Sequence, residues 1–257
     1  MKRGLLFAAA GLLLFLLALT ALPARLLPAL LPEEPLRLSG LSGTLLSGRA
    51  ARAQVLTGAG ALHLGRLRWN IDLSSLLRLR PSLQLNSEWG AQRLAAAIEW
   101  RPGRLDIRDL DASGDARLLR TVAPLAVEGR LSLQFQRVVL RGGLPGEAEG
   151  RVVWQNARWS APQVQHDLGS YVALIEGDLR DTLTARVDTL DGPVPARGSA
   201  RLADSRYEVD IVVGNGRTRI DPEIERALEL FATPSEEGYR LRLSGSLILG
   251  SRSDRGP

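Results

Sequence analysis

Gly129-Arg130-Leu131-Ser132-Leu133-Gln134-Phe135 decides the fold class. Leu131, Leu133 and Phe135 alternate with Arg130, Ser132 and Gln134, so apolar side chains recur at every second position. A helix would need them every three or four residues; a strand with one buried and one wet face needs this spacing. The same period returns at Leu183, Ala185 and Val187, set between Thr182, Thr184 and Arg186. It returns again at Tyr207, Val209 and Ile211 between Arg206, Glu208 and Asp210, and at Leu241 and Leu243 beside Arg240 and Arg242. Turn-forming residues punctuate these runs at Pro102-Gly103, Gly142-Gly143, Pro145-Gly146, Gly192-Pro193 and Gly214-Asn215-Gly216. The chain therefore reads as mainly β, built of short antiparallel meanders. A sheet with one wet face must cover the other by closing into a barrel, stacking as a sandwich or curling into a groove, and the sequence leaves these open.

Helices are few. Pro222 to Phe231 is the best, with Asp221 as N-cap, Pro222 at the first helical position and Glu223 in the first turn. Ile224, Ala227, Leu228 and Phe231 would share its apolar face. A weaker helical segment runs from Ala116 to Val122 ahead of Pro124, and a single turn from Ser74 to Leu79 ahead of Pro81.

The first residues carry a different signal. Met1 to Arg3 is a short basic tail, and Gly4 to Leu22 holds no charge. Nineteen helical residues span about 28 Å, close to the hydrocarbon thickness of a bilayer. A cleavable signal peptide is the other candidate, but the apolar run exceeds the usual length of about 7–15 residues and no clean Ala-x-Ala site follows. We read it as an uncleaved, single-pass signal anchor. Lys2 and Arg3 precede the helix while Glu33 and Glu34 follow it, so the N-terminus stays cytoplasmic and the rest is exported. In a Gram-negative bacterium that places the chain in the inner membrane with its bulk in the periplasm. Residues 23–35 contain Pro23, Pro28, Pro32 and Pro35 and read as a stiff extended spacer. Residues 36–252 form the β-rich domain and 253–257 a disordered tail.

Composition narrows the chemistry. Cysteine is absent, which excludes disulfides and thiolate metal sites. Hydrophobic residues make up 45% but aromatics only 5%, so Leu, Val, Ile and Ala must build the core. The net charge is +5, carried almost wholly by arginine, since Lys2 is the single lysine. A basic chain raises nucleic acid as a partner. The arginines are instead scattered and paired with acids, as in Arg104-Leu105-Asp106 and Arg206-Tyr207-Glu208, and an exported domain meets no nucleic acid.

No catalytic set is legible, and no cofactor or metal is expected. His63 and His166 are the only histidines. His63 alternates with Leu62 and Leu64 and reads as a structural or surface residue; His166-Asp167 could be half of a base–orienter pair, without a nucleophile elbow to serve. Asp106, Asp109, Asp111 and Asp115 lack calcium-loop spacing and read as solvated turn and strand residues. Trp69, Trp89, Trp100, Trp154 and Trp159 read as core or sheet-covering residues.

Several phrases, in order, carry a resemblance. Leu38 to Ala50 (LSGLSGTLLSGRA) follows the anchor; then come Gly65-Arg66-Leu67-Arg68-Trp69, Gly129 to Leu133, and Gly150 to Ala157 with Trp154. Leu168-Gly169-Ser170-Tyr171 and Asp191-Gly192-Pro193-Val194 complete the series. The chain resembles the protein N family of bacterial type II secretion systems (GspN) over nearly its whole length. Leu46 stands where the family's Gly-Thr-x-Trp-x-Gly phrase carries Trp, which keeps an apolar contact and removes the indole. The resemblance implies a non-enzymatic accessory or assembly component that supports export of folded periplasmic proteins across the outer membrane. It implies contact with other type II secretion components, the inner-membrane platform or the secretin. Gly43, Thr44, Leu46, Gly48, Trp69, Trp154, Gly169, Tyr171, Gly192 and Pro193 are its motif residues and candidate partner contacts. A looser kinship to AsmA-like proteins implies a long curved sheet with an apolar groove, and with it the alternative of a periplasmic lipid-binding or lipid-transfer protein.

Overall fold

Gly129 to Phe135 falls inside the seventh of fourteen strands that follow one another along the chain. The computed structural model describes residues 21–30, 36–57, 60–78, 80–121, 127–160, 165–178, 182–216 and 220–246. The strands are β1 (Leu36–Gly43), β2 (Ser47–Thr57), β3 (Gly60–Ile71), β4 (Ser82–Trp89), β5 (Gln92–Arg101), β6 (Arg104–Asp115) and β7 (Val127–Arg141). They continue as β8 (Leu144–Ser160), β9 (Gln165–Asp178), β10 (Thr182–Asp191), β11 (Ala196–Ala203), β12 (Arg206–Val213), β13 (Thr233–Ser235) and β14 (Gly238–Ser246). Each pairs antiparallel with its neighbour in one sheet, in chain order except that β14 lies between β12 and β13. The sheet is open: β1 and β13 are its edges. The groove-or-sandwich expectation therefore resolves against a second stacked sheet and against a barrel.

Register explains why the two-residue period runs through the whole domain. Leu41 pairs with Ala50, Ala50 with Leu67, Leu67 with Ser87, and Ser87 with Leu94. Leu94 pairs with Ala112, Ala112 with Leu133, Leu133 with Val152, and Val152 with Ala173. Ala173 pairs with Val187, Val187 with Gly198, Gly198 with Ile211, and Ile211 with Leu241. One row thus crosses every strand but β13, and its only polar member is Ser87, whose hydroxyl donates to the Leu64 carbonyl. The next row, on the opposite face, is polar but for Ala95 and Leu174: it runs through Ser42, Arg49, Arg68, Asn86, Ala95, Asp111, Gln134, Arg151, Leu174, Arg186, Ser199, Asp210 and Arg242.

Bulges keep the faces in phase. In β6 the apolar residues are Leu105 and Ile107 and then Leu110 and Ala112, a slip of one position. Asp109 absorbs it with φ 50°, and β5–β6 pairing shifts between Ala95 and Ala97. In β7 the slip falls between Phe135 and Val138, where pairing with β8 shifts. Without the extra residue, every side chain beyond it would change face.

Among the described residues the apolar face is covered at three places by the chain itself, the smallest being the 3-10 turn Ala116–Thr121 with Leu118. Ala24–Leu26 and Leu27–Leu30 are helical, and Ala24 and Leu27 pack on Ala50, Ala53, Leu67 and Trp69. Near the other end Ile224 and Leu228 of the helix Pro222–Glu229 pack on Val194, Val213, Trp159 and Tyr239. Between them Leu133, Val152, Ala173 and Val187 stay half-buried. A hollow of about 230 Å³ lies on this face, lined by Leu62 and Leu64 of β3, Leu94 and Ala112, and Leu131 and Leu133 of β7. Strands β3 and β7 lie about 19 Å apart at ~4.8 Å spacing, and the hollow reaches across β4, β5 and β6 between them. The 3-10 turn Ala116–Thr121 rests against both strands, and its Leu118 lines the hollow.

Several expectations change. Residues 24–30 are helical where a stiff extended spacer was expected; Pro28 stands in the first turn of its helix, where a missing N–H costs nothing. Pro145 and Gly146 lie inside β8, not in a turn. The turns at Pro102-Gly103 and Gly142-Gly143 and the connection at Gly192-Pro193 are as read. The expected anchor Gly4–Leu22 lies outside the described residues apart from Ala21 and Leu22. Among the described residues no helix is long and apolar enough to cross a membrane.

Asp106 also departs from its expected solvation. It is 1% exposed on the polar face, bound in bidentate fashion by Arg104 (2.9–3.2 Å), with Arg137 at 3.5 Å. Glu147 and Arg141 (2.5 Å) continue the cluster across β7 and β8. Asp109, Asp111 and Asp115 are exposed as expected. The Arg104 hydrogen bonds hold the Asp106 carboxyl below the usual carboxylate range, against the opposing effect of burial. A depressed folded value means the stabilisation is present above the ordinary aspartate value near ~3.9 and is lost as pH falls below it. Arg104 is 26% exposed, so solvent weakens the pair. Asp106→Asn should destabilise the sheet at neutral pH by about 2 kcal/mol, with the difference from the parent shrinking as pH falls below about 4; urea titrations at pH 7 and pH 3 measure it.

Candidate functional site

The motif residues assemble at two separate places. The first is the β1–β2 hairpin. Gly43 and Gly48 pair across it, and Thr44 closes it: its N–H donates to the Ser47 carbonyl (2.8 Å), and its hydroxyl oxygen accepts from the Ser47 N–H (3.1 Å). Leu46 is buried at the turn, where its carbonyl accepts from the Ile71 N–H (2.6 Å). Trp69 reaches back from β3 and donates its indole N–H to the Leu45 carbonyl (3.0 Å). Gly48 faces that indole so closely that a Cβ would overlap the ring and lie 2.8 Å from the Thr44 carbonyl oxygen. Glycine is needed here for close approach; its φ is ordinary.

The second lies across β8 to β11. Trp154 sits 6.0 Å from the Tyr171 ring, its N–H donating to the Glu128 carbonyl (3.0 Å). The Tyr171 hydroxyl is 2.8 Å from both the Leu168 and Val194 carbonyl oxygens and can donate to one at a time. Burial pushes that phenol up to about 12. Gly169 (φ 126°) and Gly192 (φ 127°) pack backbone to backbone, so a Cβ on Gly192 would overlap the Gly169 Cα. Pro193 beside them is exposed, and Val194 is buried. Tyr171 and the two glycines thus tie the β10–β11 connection to β9. The two groups are on β1–β3 and β8–β11 and do not touch, so they are not one pocket. Each shapes a connection at an end of the apolar face.

The histidines and tryptophans singled out in the sequence take the following places. His166 does not engage Asp167, whose side chain is 78% exposed and pairs with Arg158 (3.1 Å). The His166 ring is 7% exposed, stacks on Trp159 (5.6 Å) and lies 2.8 Å from Glu223 and 3.4 Å from Asp221. Those carboxylates belong to the N-terminus of the helix Pro222–Glu229, so His166 fastens that helix to the sheet. Their separation from His166 by more than fifty residues hid this from the sequence. His63 is exposed beside Trp89. Trp69 is buried, and Trp154 and Trp159 are half-buried; Trp89 and Trp100 are 48% and 56% exposed and are not core residues. Among the described residues no group of three or more His, Asp or Glu could hold a metal.

With this geometry in place, the comparisons with known proteins become decisive. Residues 34–242 match the family model of type II secretion system protein N. The chain belongs to the type II secretion system protein N family. A relative from Aeromonas hydrophila, a type II secretion system protein N, is 30% identical over 179 residues, covering 66% of this chain and 69% of the relative. No solved structure matches. The family match spans β1 to β13, the helix Pro222–Glu229 and the first five residues of β14, so both motif groups and the whole apolar row lie within it.

Two substitutions separate the roles assigned here. Gly48→Ala should cost about 1–3 kcal/mol by forcing the buried Trp69 ring aside, with Trp69 fluorescence shifting as the indole loosens. His166→Ala should remove a buried partner of Glu223 and cost about 1–2 kcal/mol. Its hydrogen exchange should quicken in residues 222–229 while β5–β8 stay protected.

Proposed function

We propose that the chain is a non-enzymatic accessory or assembly component of a type II secretion system. In this reading it sits in the inner membrane through Gly4–Leu22, N-terminus in the cytoplasm, and holds its sheet in the periplasm. There it supports export of folded proteins across the outer membrane by contact with the platform or the secretin. The family match over residues 34–242 carries the reading. It is supported by the placement of the histidines and acids, which serve packing and ion pairs. The hairpin holding Gly43, Thr44, Leu46 and Gly48 and the connection holding Gly192 and Pro193 are the proposed partner contacts. Deleting the gene in a strain with no second copy should reduce secreted hydrolase activity in the medium, with enzyme accumulating in the periplasm. Unchanged secretion would contradict the proposal.

A second reading is favoured by one observation, the row from Leu41 to Leu241, apolar but for Ser87, on a face that the described residues cover only in part. Such a face offers acyl chains a surface without unpaired backbone groups, and the protein would then bind or transfer lipid. Mass spectrometry of the full chain extracted under mild conditions should find stoichiometric lipid if this is so, and Val152→Asp should abolish it. Absence of lipid leaves only the first reading.

A further inference from the structure

Phe231 breaks the helical pattern that precedes it. The spacing Ile224, Ala227, Leu228, Phe231 would place it on the buried face, yet it is 74% exposed, and Leu230 beside it is 77% exposed. These are the two most exposed large apolar side chains among the described residues. The cause is local. The helix ends at Glu229, and the chain turns so that Ala232, not Phe231, returns to the core at 8% exposure. The pair is not on a loose loop. Phe231 and Ala232 donate their N–H groups to the Leu228 carbonyl at 3.0 and 2.7 Å, and Leu230 donates to Ala227 at 3.3 Å.

The surroundings define what this pair would meet. From Glu229 to Glu237 every residue but Ala232 is exposed, and the charges are Glu229, Glu236 and Glu237 with no cation among them. Arg197 pairs with Glu237 at 2.5 Å, and Arg240 is held by Asp210 at 2.6–2.7 Å, so neither neutralises Glu229 or Glu236. Burial pushes the Tyr239 phenol up, and the charges of Glu225 and Glu229 add to that effect. This is an acidic projection on a chain whose net charge is +5. The edge strand β13 within it is three residues long and carries Pro234, which has no N–H, so the segment is protected against strand addition. Contact must come through side chains. Rigid, exposed aromatic and aliphatic residues are the usual anchors of protein interfaces, and an acidic rim opposes an anionic bilayer surface.

We propose that Leu230 and Phe231 are a preformed knob that enters an apolar pocket bordered by arginine or lysine on another protein of the secretion system. The inference rests on the secretion reading, and its failure is distinguishable from that reading's: secretion would then need the gene but not the knob. The test is benzoyl-phenylalanine at position 231 of the full-length chain, irradiated in secreting cells. The expected adduct joins another secretion component through a peptide bearing apolar residues beside Arg or Lys, and falls at least tenfold with Glu229→Arg and Glu236→Arg together. Leu230→Ser with Phe231→Ser should lower secretion with no change in the thermal unfolding of the purified chain, because neither side chain is buried. No adduct, an adduct to lipid or to a second copy alone, or an adduct indifferent to charge reversal would overturn the proposal. So would normal secretion by the double serine variant.

Discussion

A single β-sheet has two faces, and a chain that spends most of its described residues on strands has little left to cover either. That constraint governs this protein. The polar face solves it with arginine and carboxylate ladders that water can reach, closing over a buried carboxylate, among the described residues, only at Asp106. The apolar face solves it in part, with Ala24 and Leu27 over β1–β4 and Ile224 and Leu228 over the other end. Leu118 of the 3-10 turn Ala116–Thr121 supplies some of the rest, lining the hollow that reaches from Leu62 of β3 to Leu131 of β7. Bulges matter because they hold one apolar row in register from Leu41 to Leu241 despite slips in the sequence.

The family motifs take their meaning from the same constraint. Gly48 under Trp69 and Gly169 against Gly192 are close backbone approaches that set how connections fold over the sheet. Tyr171 and His166 fasten, respectively, the β10–β11 connection and the covering helix. In a structure with one layer, residues that secure connections and covers do what a second layer would otherwise do. A secretion component built this way presents a long apolar surface and firmly held ends to its surroundings.

Much of this was legible in the sequence. Alternation at Leu131–Phe135 and Tyr207–Ile211 identifies strands because it depends only on neighbours in the chain. The cap and first turn at Asp221-Pro222 are equally local, and Asp221 does accept the Glu223 N–H at 2.8 Å. What escaped depends on partners far along the chain. Asp106 is buried because Arg137, thirty-one positions on, completes its cage. His166 turns to Glu223 and ignores its neighbour Asp167. Whether strands stack, close or stay open is set by β1 and β13 never meeting, which no local pattern encodes. Phe231 escaped for the opposite reason: the helical period was extended two residues past the point where the chain turns.

The central claim is that the apolar face is open around Val152, away from the covers that the described residues place on it, and the absence of cysteine allows a direct test. Val152→Cys lies on the apolar row, and Val139→Cys is fully buried on the other face. With each introduced singly into the full-length chain, reaction with a small maleimide should be fast at position 152 and at least tenfold slower at 139. Equal protection of both positions in the isolated protein would mean that a further layer covers the face, and would contradict the account.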